Sequence, residues 1–359
     1  MVRALTLLGP RQLEIREEPS ATLEPGQARL RSLVSGVSHG TELNLYRGTS
    51  PFAGNEFDHG RRLFRPRQDN GFRPHGIGYE LVSEVVEVAP DVSVIKPGDV
   101  VHTAGSHRDE TVIDVDQVLN APLPLTVLHH ASSRAPDRPE RAVFLSLAGV
   151  ALQAVHDAYV KLGDTVVVSG LGVIGLLTVQ LVRMNGARSV IAIDPKQERR
   201  TLAQRFGATA VVDPRDVEES IGFAVHEANQ GKGVDTVIET SGTYSGLHAA
   251  IASVGIGGRV VSVGFFRGDA GNDLRLGEEW HHNRPTLVSS MGVWGCPHHE
   301  HPLWDRHRVA ETAAELLLSD QLVTEPMLTR TVPFDDAPQA YADLDADPRA
   351  ALKIALSYV

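Results

Sequence analysis

The sequence is short of cysteine and of positive charge, and it has no long apolar run. A single cysteine, Cys296, among 359 residues excludes an intrachain disulfide and any multi-cysteine metal site. No unbroken apolar stretch approaches the ~20 residues that a membrane-spanning helix needs, so a membrane is not an expected partner. The opening segment, Met1 to Thr6, lacks the basic head, apolar middle and small-residue cleavage site of a secretory signal. Both features lead to the expectation of a cytoplasmic protein. Lys and Arg number 34 against 45 Asp and Glu, a formal net charge of −11. An acidic surface repels phosphate backbones, so nucleic acid is not an expected partner either. The most basic stretch, Arg61-Arg62-Leu63-Phe64-Arg65-Pro66-Arg67, is short. It reads as a solvated loop or as a cap for an anionic substrate.

What is present divides the chain in two. The first third carries short strand-like stretches, Val2 to Leu8, Leu13 to Arg16, Gln27 to Val34 and Leu81 to Ala89, broken by Gly and Pro. Gly48 to Pro74 is a long segment rich in Arg, Gly, Pro and Asp, of the kind that forms a lid or binding loop. From Ala142 the pattern changes. A helix is expected over Ala142 to Tyr159, followed by the fully apolar strand Thr165 to Ser169. Helices and strands then alternate through Ile174 to Met184, Ser189 to Ile193, Gln197 to Phe206, Val234 to Glu239 and Arg259 to Val263. Such alternation predicts a doubly wound parallel α/β sheet. A helix from about Arg306 to Leu318 and a strand from Leu352 to Ser357 close the chain.

Gly170-Leu171-Gly172-Val173-Ile174-Gly175 follows an apolar strand and opens a helix, the context in which three spaced glycines bind a dinucleotide. Gly170 allows the tight turn, Gly172 the close approach of backbone to pyrophosphate, and Gly175 the packing of helix on strand. The phosphates are expected at the positive end of the helix beginning with Val173 and Ile174. Asp194 ends the next strand, where a carboxylate accepts hydrogen bonds from the adenosine ribose and repels a 2′-phosphate. NAD is therefore the expected cofactor. Lys196, Arg199 and Arg200 temper this, because a nearby cation accommodates a phosphate.

Four segments carry a wider resemblance. They are Ser35-Gly36-Val37-Ser38-His39-Gly40-Thr41-Glu42, Gly78-Tyr79-Glu80, Lys96 to Val101, and Leu162 to Val168. With the glycine turn near the middle of the chain, they resemble the medium-chain dehydrogenase/reductase family. The resemblance implies a Rossmann doubly wound sheet over 148–291 and a β-rich, GroES-like catalytic domain from 1–147 and 292–359. It also implies a homodimer or homotetramer joined through the edges of the Rossmann sheets. Val263, Gly264 and Phe265, with Ser290 and Met291, fall where the family contacts the nicotinamide, and Lys353 where a basic residue reaches the pyrophosphate.

Zinc-dependent members of that family place a Cys in the first segment, a His before the Glu of the second, and a third ligand at the helix leading into the Rossmann strand. This chain has Ser38 or His39, Tyr79 and Leu147 at those places. Neutral serine and tyrosine are poor zinc ligands and leucine is none, so no metal is expected. Gly40-Thr41-Glu42 with Gly78-Tyr79-Glu80 is similar to a zinc-free branch that includes bacteriochlorophyllide a dehydrogenase. Without a metal, hydrogen-bond donors and a proton relay are needed at the same place. The resemblance gives Thr41 the relay hydroxyl. Ser38, His39 and Tyr79 surround the vacated position, and Glu42 and Glu80 either orient them or serve structure. His39 reads as a base or as an ordinary loop histidine.

Two more clusters are dense in histidine. His298-His299-Glu300-His301, after Cys296, lies on a Pro-flanked loop without the one-turn spacing of helical zinc sites. His281-His282-Asn283-Arg284 reads as a helix cap, a dimer-edge contact or a substrate contact. The leading expectation is oxidation of a secondary hydroxyl on a small-molecule sugar, cyclitol or natural-product scaffold. Quinone or enoyl reduction, and a catalytically silent NAD-binding protein, are the alternatives.

Overall fold

The computed structural model describes residues 1–67, 72–131, 138–266, 273–292 and 303–358. Contacts divide the chain into Met1–Leu145 with Met327–Val359, and Ser146–Pro326. The boundaries fall at 145/146 and 326/327, and the helix Arg306–Leu318 belongs to the second unit. Gln180 there bonds both backbone groups of Val323, at 2.8 and 3.1 Å. An amphipathic helix carries no sign in its sequence of which core it joins.

In the first unit, Val2–Gly9 pairs antiparallel with Gln12–Glu18. The large sheet runs Thr126–His129, Val100–Thr103, Leu81–Val88, Gln27–Val37, Lys353–Ser357, Leu328–Pro333, with Glu110–Asp114 also bonded to Gln27–Val37. The closing strand Lys353–Ser357 therefore lies inside the sheet, antiparallel to Gln27–Val37 and parallel to Leu328–Pro333. One core gathers Leu5, Leu7, Val37, Tyr46, Phe334 and Tyr341. A second forms around Leu30, Val85, Ile95 and Val101.

The segment expected as a lid or binding loop has structure of its own. A helix, His39–Arg47, closes at Gly48 in the left-handed region, φ 70°. A two-stranded sheet follows, Asn55–Asp58 with Leu63–Pro66, held by edge-on packing of Phe64 against Phe52 and Phe57. Four of its residues, 68–71, lie outside the described ones.

In the second unit six strands are parallel, in the order Ala210–Val212, Ser189–Ile193, Thr165–Ser169, Val234–Glu239, Val254–Ser262, Thr286–Ser289. Every residue of Thr165–Ser169 is buried, as a central strand covered on both faces requires. From that strand the chain winds outward first to one side and then to the other. The reversal leaves a crevice beyond the carboxyl ends of the middle strands, where such sheets bind ligands. This is the Rossmann sheet the sequence predicts. No helix among the described residues is long and apolar enough to cross a membrane.

Candidate functional site

In the second unit the glycines do what their spacing predicts. Gly170 has φ 89°, accessible to glycine but costly for other residues. A methyl group on Gly175 would lie 1.9 Å from the Gly170 carbonyl oxygen, so only glycine lets the helix Val173–Met184 start this close to the strand. Gly172 is open, with nothing within 4 Å of a methyl in its place. No side chain caps the helix, so the N–H groups of its first turn remain available to an anion. Asp194 turns its carboxylate into this loop, accepting the Leu171 N–H at 2.9 Å and the Lys196 N–H at 2.8 Å. A carboxylate has about four acceptor positions, so roughly two remain for a ribose. Arg199 is 3.8 Å from Asp194, while Arg200 is paired with Asp213 at 2.8 Å. These residues fit a dinucleotide.

Val263, Gly264 and Phe265 directly follow Val254–Ser262, and the N–H of Val263 donates to the Glu239 carbonyl at 2.8 Å. Ser290 and Met291 follow Thr286–Ser289, with the Ser290 N–H bonded to the Ser262 carbonyl at 2.9 Å. All five thus sit at carboxyl ends of neighbouring strands. Glu239, which sequence reasoning passed over, ends Val234–Glu239 among them. Its carboxylate accepts the Ser241 N–H at 2.7 Å. Burial raises its pKa despite the bonds to Ser241 and Gly242.

The first unit brings together five of the six residues expected around the vacated metal position. Ser38 precedes the helix His39–Arg47, and its hydroxyl is hydrogen-bonded to the Tyr79 hydroxyl. Thr41 lies near Tyr79 and works against the effect of burial on its hydroxyl. Glu42 reaches back to accept the Ser38 N–H at 2.7 Å. Burial, and next the charge of Glu80, push the Tyr79 hydroxyl above its ordinary pKa, so it remains a neutral phenol at physiological pH. His39 starts the helix and is half-buried.

A buried histidine–carboxylate contact and a buried ion pair flank the hydroxyls. Glu42, fully buried, faces His107 at 3.0 Å and also accepts the Tyr341 hydroxyl. Burial disfavours its charge, yet His107, Tyr341 and the Ser38 N–H together hold its pKa below the ordinary value. Glu80, also fully buried, accepts from the Lys353 ammonium at 3.2 Å. Lys353, the residue expected at the pyrophosphate, is 1 % exposed and has its ammonium on Glu80. His102 lies 3.9 Å from Glu80. Burial, with Lys353 nearby, lowers its pKa to about 3 and keeps it neutral. The sequence singles out none of His102, His107 and Tyr341. Nothing in local spacing marks them, since each meets its partner across the fold.

The donors do not fit a zinc ion at this place. Ser38 and Tyr79 bond each other, Tyr79 stays a phenol, and the ammonium of Lys353 already neutralises Glu80. Among the described residues one other group has metal-ligand atoms within 4.8 Å of one another, His248 with Glu278 and Glu279. The Arg275 guanidinium sits there, 2.6 Å from His248 and 2.8 Å from Glu278. Cys296 and His298 to His301 lie outside the described residues. His282 turns its Nδ1 to the Glu278 carbonyl at 2.9 Å, a contact within its own short helix.

A model of the zinc-binding dehydrogenase family matches residues 173–306. That stretch contains none of Ser38, His39 and Tyr79. D-guloside 3-dehydrogenase of Shigella flexneri is 30% identical over 99% of this chain and 100% of its own length. L-threonine 3-dehydrogenase of Pyrococcus furiosus is 28% identical over 88% of this chain and 87% of its own. The structure of 2R,3R-butanediol dehydrogenase from Bacillus subtilis superposes with a TM-score of 0.77 over 100% of both chains at 21% identity. The chain belongs to the medium-chain dehydrogenase/reductase family. It is an oxidoreductase whose curated relatives bear the names of alcohol and sugar dehydrogenases.

Proposed function

We propose that the protein is a zinc-independent, NAD(H)-dependent dehydrogenase that interconverts a secondary alcohol and a ketone on a sugar, cyclitol or natural-product scaffold. The observation that supports this reading is the Ser38–Tyr79 hydroxyl pair, beside the Glu42–His107 contact and the Glu80–Lys353 ion pair, in the two segments whose resemblance assigns them to the metal position of zinc-dependent relatives. A ring hydroxyl of a glycoside is the preferred substrate class, following the name of the D-guloside relatives.

Bound NAD supplies the hydride acceptor, and Gly170 to Gly175 with Asp194 would hold it. The chain's own residues handle the proton. Tyr79, a neutral phenol, accepts a hydrogen bond from the substrate hydroxyl in the direction of oxidation. As the hydroxyl proton leaves, it passes to Tyr79 while Tyr79 passes its own to Thr41. Thr41 is exposed and releases the proton to water. Ser38 holds the phenol in line. His39 is the next base along the chain. For assembly we propose a homodimer through Thr286–Ser289, the edge strand of the parallel sheet.

The deciding experiment is an absorbance assay for NADH formation across alkyl glycosides, cyclitols and secondary alcohols. Tight NADH binding with no hydride transfer to any of them would favour a catalytically silent protein. NADH is expected to bind more tightly than NADPH, and Asp194→Ala to relax that preference. Arg215 is engaged by Asp213, Arg200 by Asp213 and by the Asp194 carbonyl at 2.7 Å, and Arg199 lies 3.8 Å from the Asp194 carboxylate. Faster turnover with NADPH at equal concentration would refute the role given to Asp194. Purified protein is expected to contain far less zinc than one ion per chain by elemental analysis, and a chelator to leave its activity intact. Stoichiometric zinc lost together with activity would refute metal independence.

A further inference from the structure

His107 touches both segments that supply the hydroxyl pair. It lies between the strands Val100–Thr103 and Glu110–Asp114 and is fully buried. On one side its Nε2 meets Glu42 at 3.0 Å and its Nδ1 meets the Ser35 hydroxyl at 2.7 Å. On the other its ring lies against the backbone of Gly78, where a methyl group would approach Cδ2 and Nε2 to 2.8 Å. Its main chain continues the clamp: the N–H donates to the Ile77 carbonyl at 2.8 Å, and the carbonyl accepts the Leu5 N–H at 2.9 Å.

Both hydroxyls hang from what His107 holds. Ser38 is fixed through its N–H, which donates to Glu42. Tyr79 follows Gly78 directly, and Gly78 has φ 112°, which strains any other residue. The two hydroxyl-bearing residues are 41 positions apart. A ring with nitrogens on opposite edges bonds Ser35 and Glu42 at once, and its flatness admits the glycine backbone. An aliphatic side chain of similar size would leave the Glu42 carboxylate without this partner in a buried place.

We propose that His107 is a positioning residue, which sets the Ser38–Tyr79 pair through Glu42 and the backbone of Gly78 without touching substrate. The kinetic part of this proposal rests on the proposed function; the structural part does not. A residue serving stability alone would alter the folded fraction and leave the turnover of folded protein unchanged.

The test uses full-length His107→Ala, His107→Gln and Gly78→Ala, each checked for folding by circular dichroism and melting. Hydrogen exchange read by mass spectrometry needs no substrate. In His107→Ala, peptides covering 35–42 and 76–80 are expected to exchange at least about 10-fold faster, while those covering 165–169 stay unchanged. With methyl D-guloside and NAD, or whichever glycoside the wild type turns over, kcat is expected to fall about 100-fold while NADH affinity stays within about twofold. His107→Gln, which keeps an amide on Glu42, is expected to recover about 10-fold of that loss. Gly78→Ala, which displaces the ring without removing it, should reproduce the exchange signature if His107→Ala fails to fold. Near-normal kcat in folded His107→Ala, equal losses in Ala and Gln, or faster exchange spread evenly over the unit would overturn the proposal. A wild type inactive on every glycoside would sink the functional reading, and the exchange result would still decide the positioning role.

Discussion

Replacing Tyr79 by phenylalanine, or Thr41 by valine, lowers kcat about 100-fold in at least one of the two variants while NADH affinity barely moves. Each change removes one hydroxyl and keeps the shape. Tyr79 is bonded to Ser38 and lies near Thr41, so the first deletion removes the group that takes the substrate's proton and the second breaks the outlet proposed for it. A general acid–base group typically contributes ~100- to 10,000-fold, and the lower end suits a relay that water partly replaces. The measurement is steady-state kinetics with a glycoside that the wild type oxidises, beside NADH titration. Normal kcat in both variants would move the chemistry to His39. A His39→Gln protein that loses the pH dependence of kcat near neutrality would then identify the base.

Lys353→Met is expected to be among the most destabilising single changes in the first unit. It leaves Glu80 buried without the ammonium at 3.2 Å. Removing one partner of a buried pair costs about 3–5 kcal/mol, since the other charge stays out of water. For a unit of this size that lowers the melting temperature on the order of 10 °C. Adding Glu80→Gln should recover part of the loss, because a neutral amide is less costly to bury. Calorimetry of the single and double variants checks both statements. NADH titration of the single variant separates two roles. If Lys353 serves Glu80, NADH affinity of the folded protein stays near normal; if it reaches the pyrophosphate, affinity falls. Unchanged melting would show that the pair contributes little.

The fold was legible where its signal is local. Thr165 to Ser169 followed by the glycine turn specifies a strand, a turn and a helix within eleven residues, Thr165–Gly175, and each glycine has its own steric reason. The helix Arg306–Leu318 was equally plain from its period, with Asp305 accepting the Arg308 N–H at its start. The helix His39–Arg47 was not. It buries Glu42 and Asn44 beside Leu43 and Tyr46, and buried polar residues erase the amphipathic period that would reveal it. No side chain caps it either, because the Ser38 hydroxyl is bonded to Tyr79.

The same contrast runs through the site. Ser38, Thr41, Glu42, Tyr79 and Glu80 were legible because they stand in two short segments that resemble known ones. Their partners were hidden by distance along the chain. His107 is 65 residues from Glu42, Tyr341 is 299, and Lys353 is 273 from Glu80. Nothing in the sequence around Lys353 distinguishes an ammonium on a carboxylate from one on a phosphate.

The first unit also fixes an order in time. A ribosome releases residues 1–145 first, but the strand inserted beside Gln27–Val37 comes from 353–357. Until then Glu42 lacks Tyr341 and Glu80 lacks Lys353. The second unit, continuous from Ser146 to Pro326, has all its strands as soon as that stretch has emerged. Domains tend to fold as units during synthesis. The nascent chain can thus complete its parallel sheet while the first unit still lacks Leu328–Pro333 and Lys353–Ser357, and Glu42 and Glu80 gain their distant partners only once that later stretch has emerged.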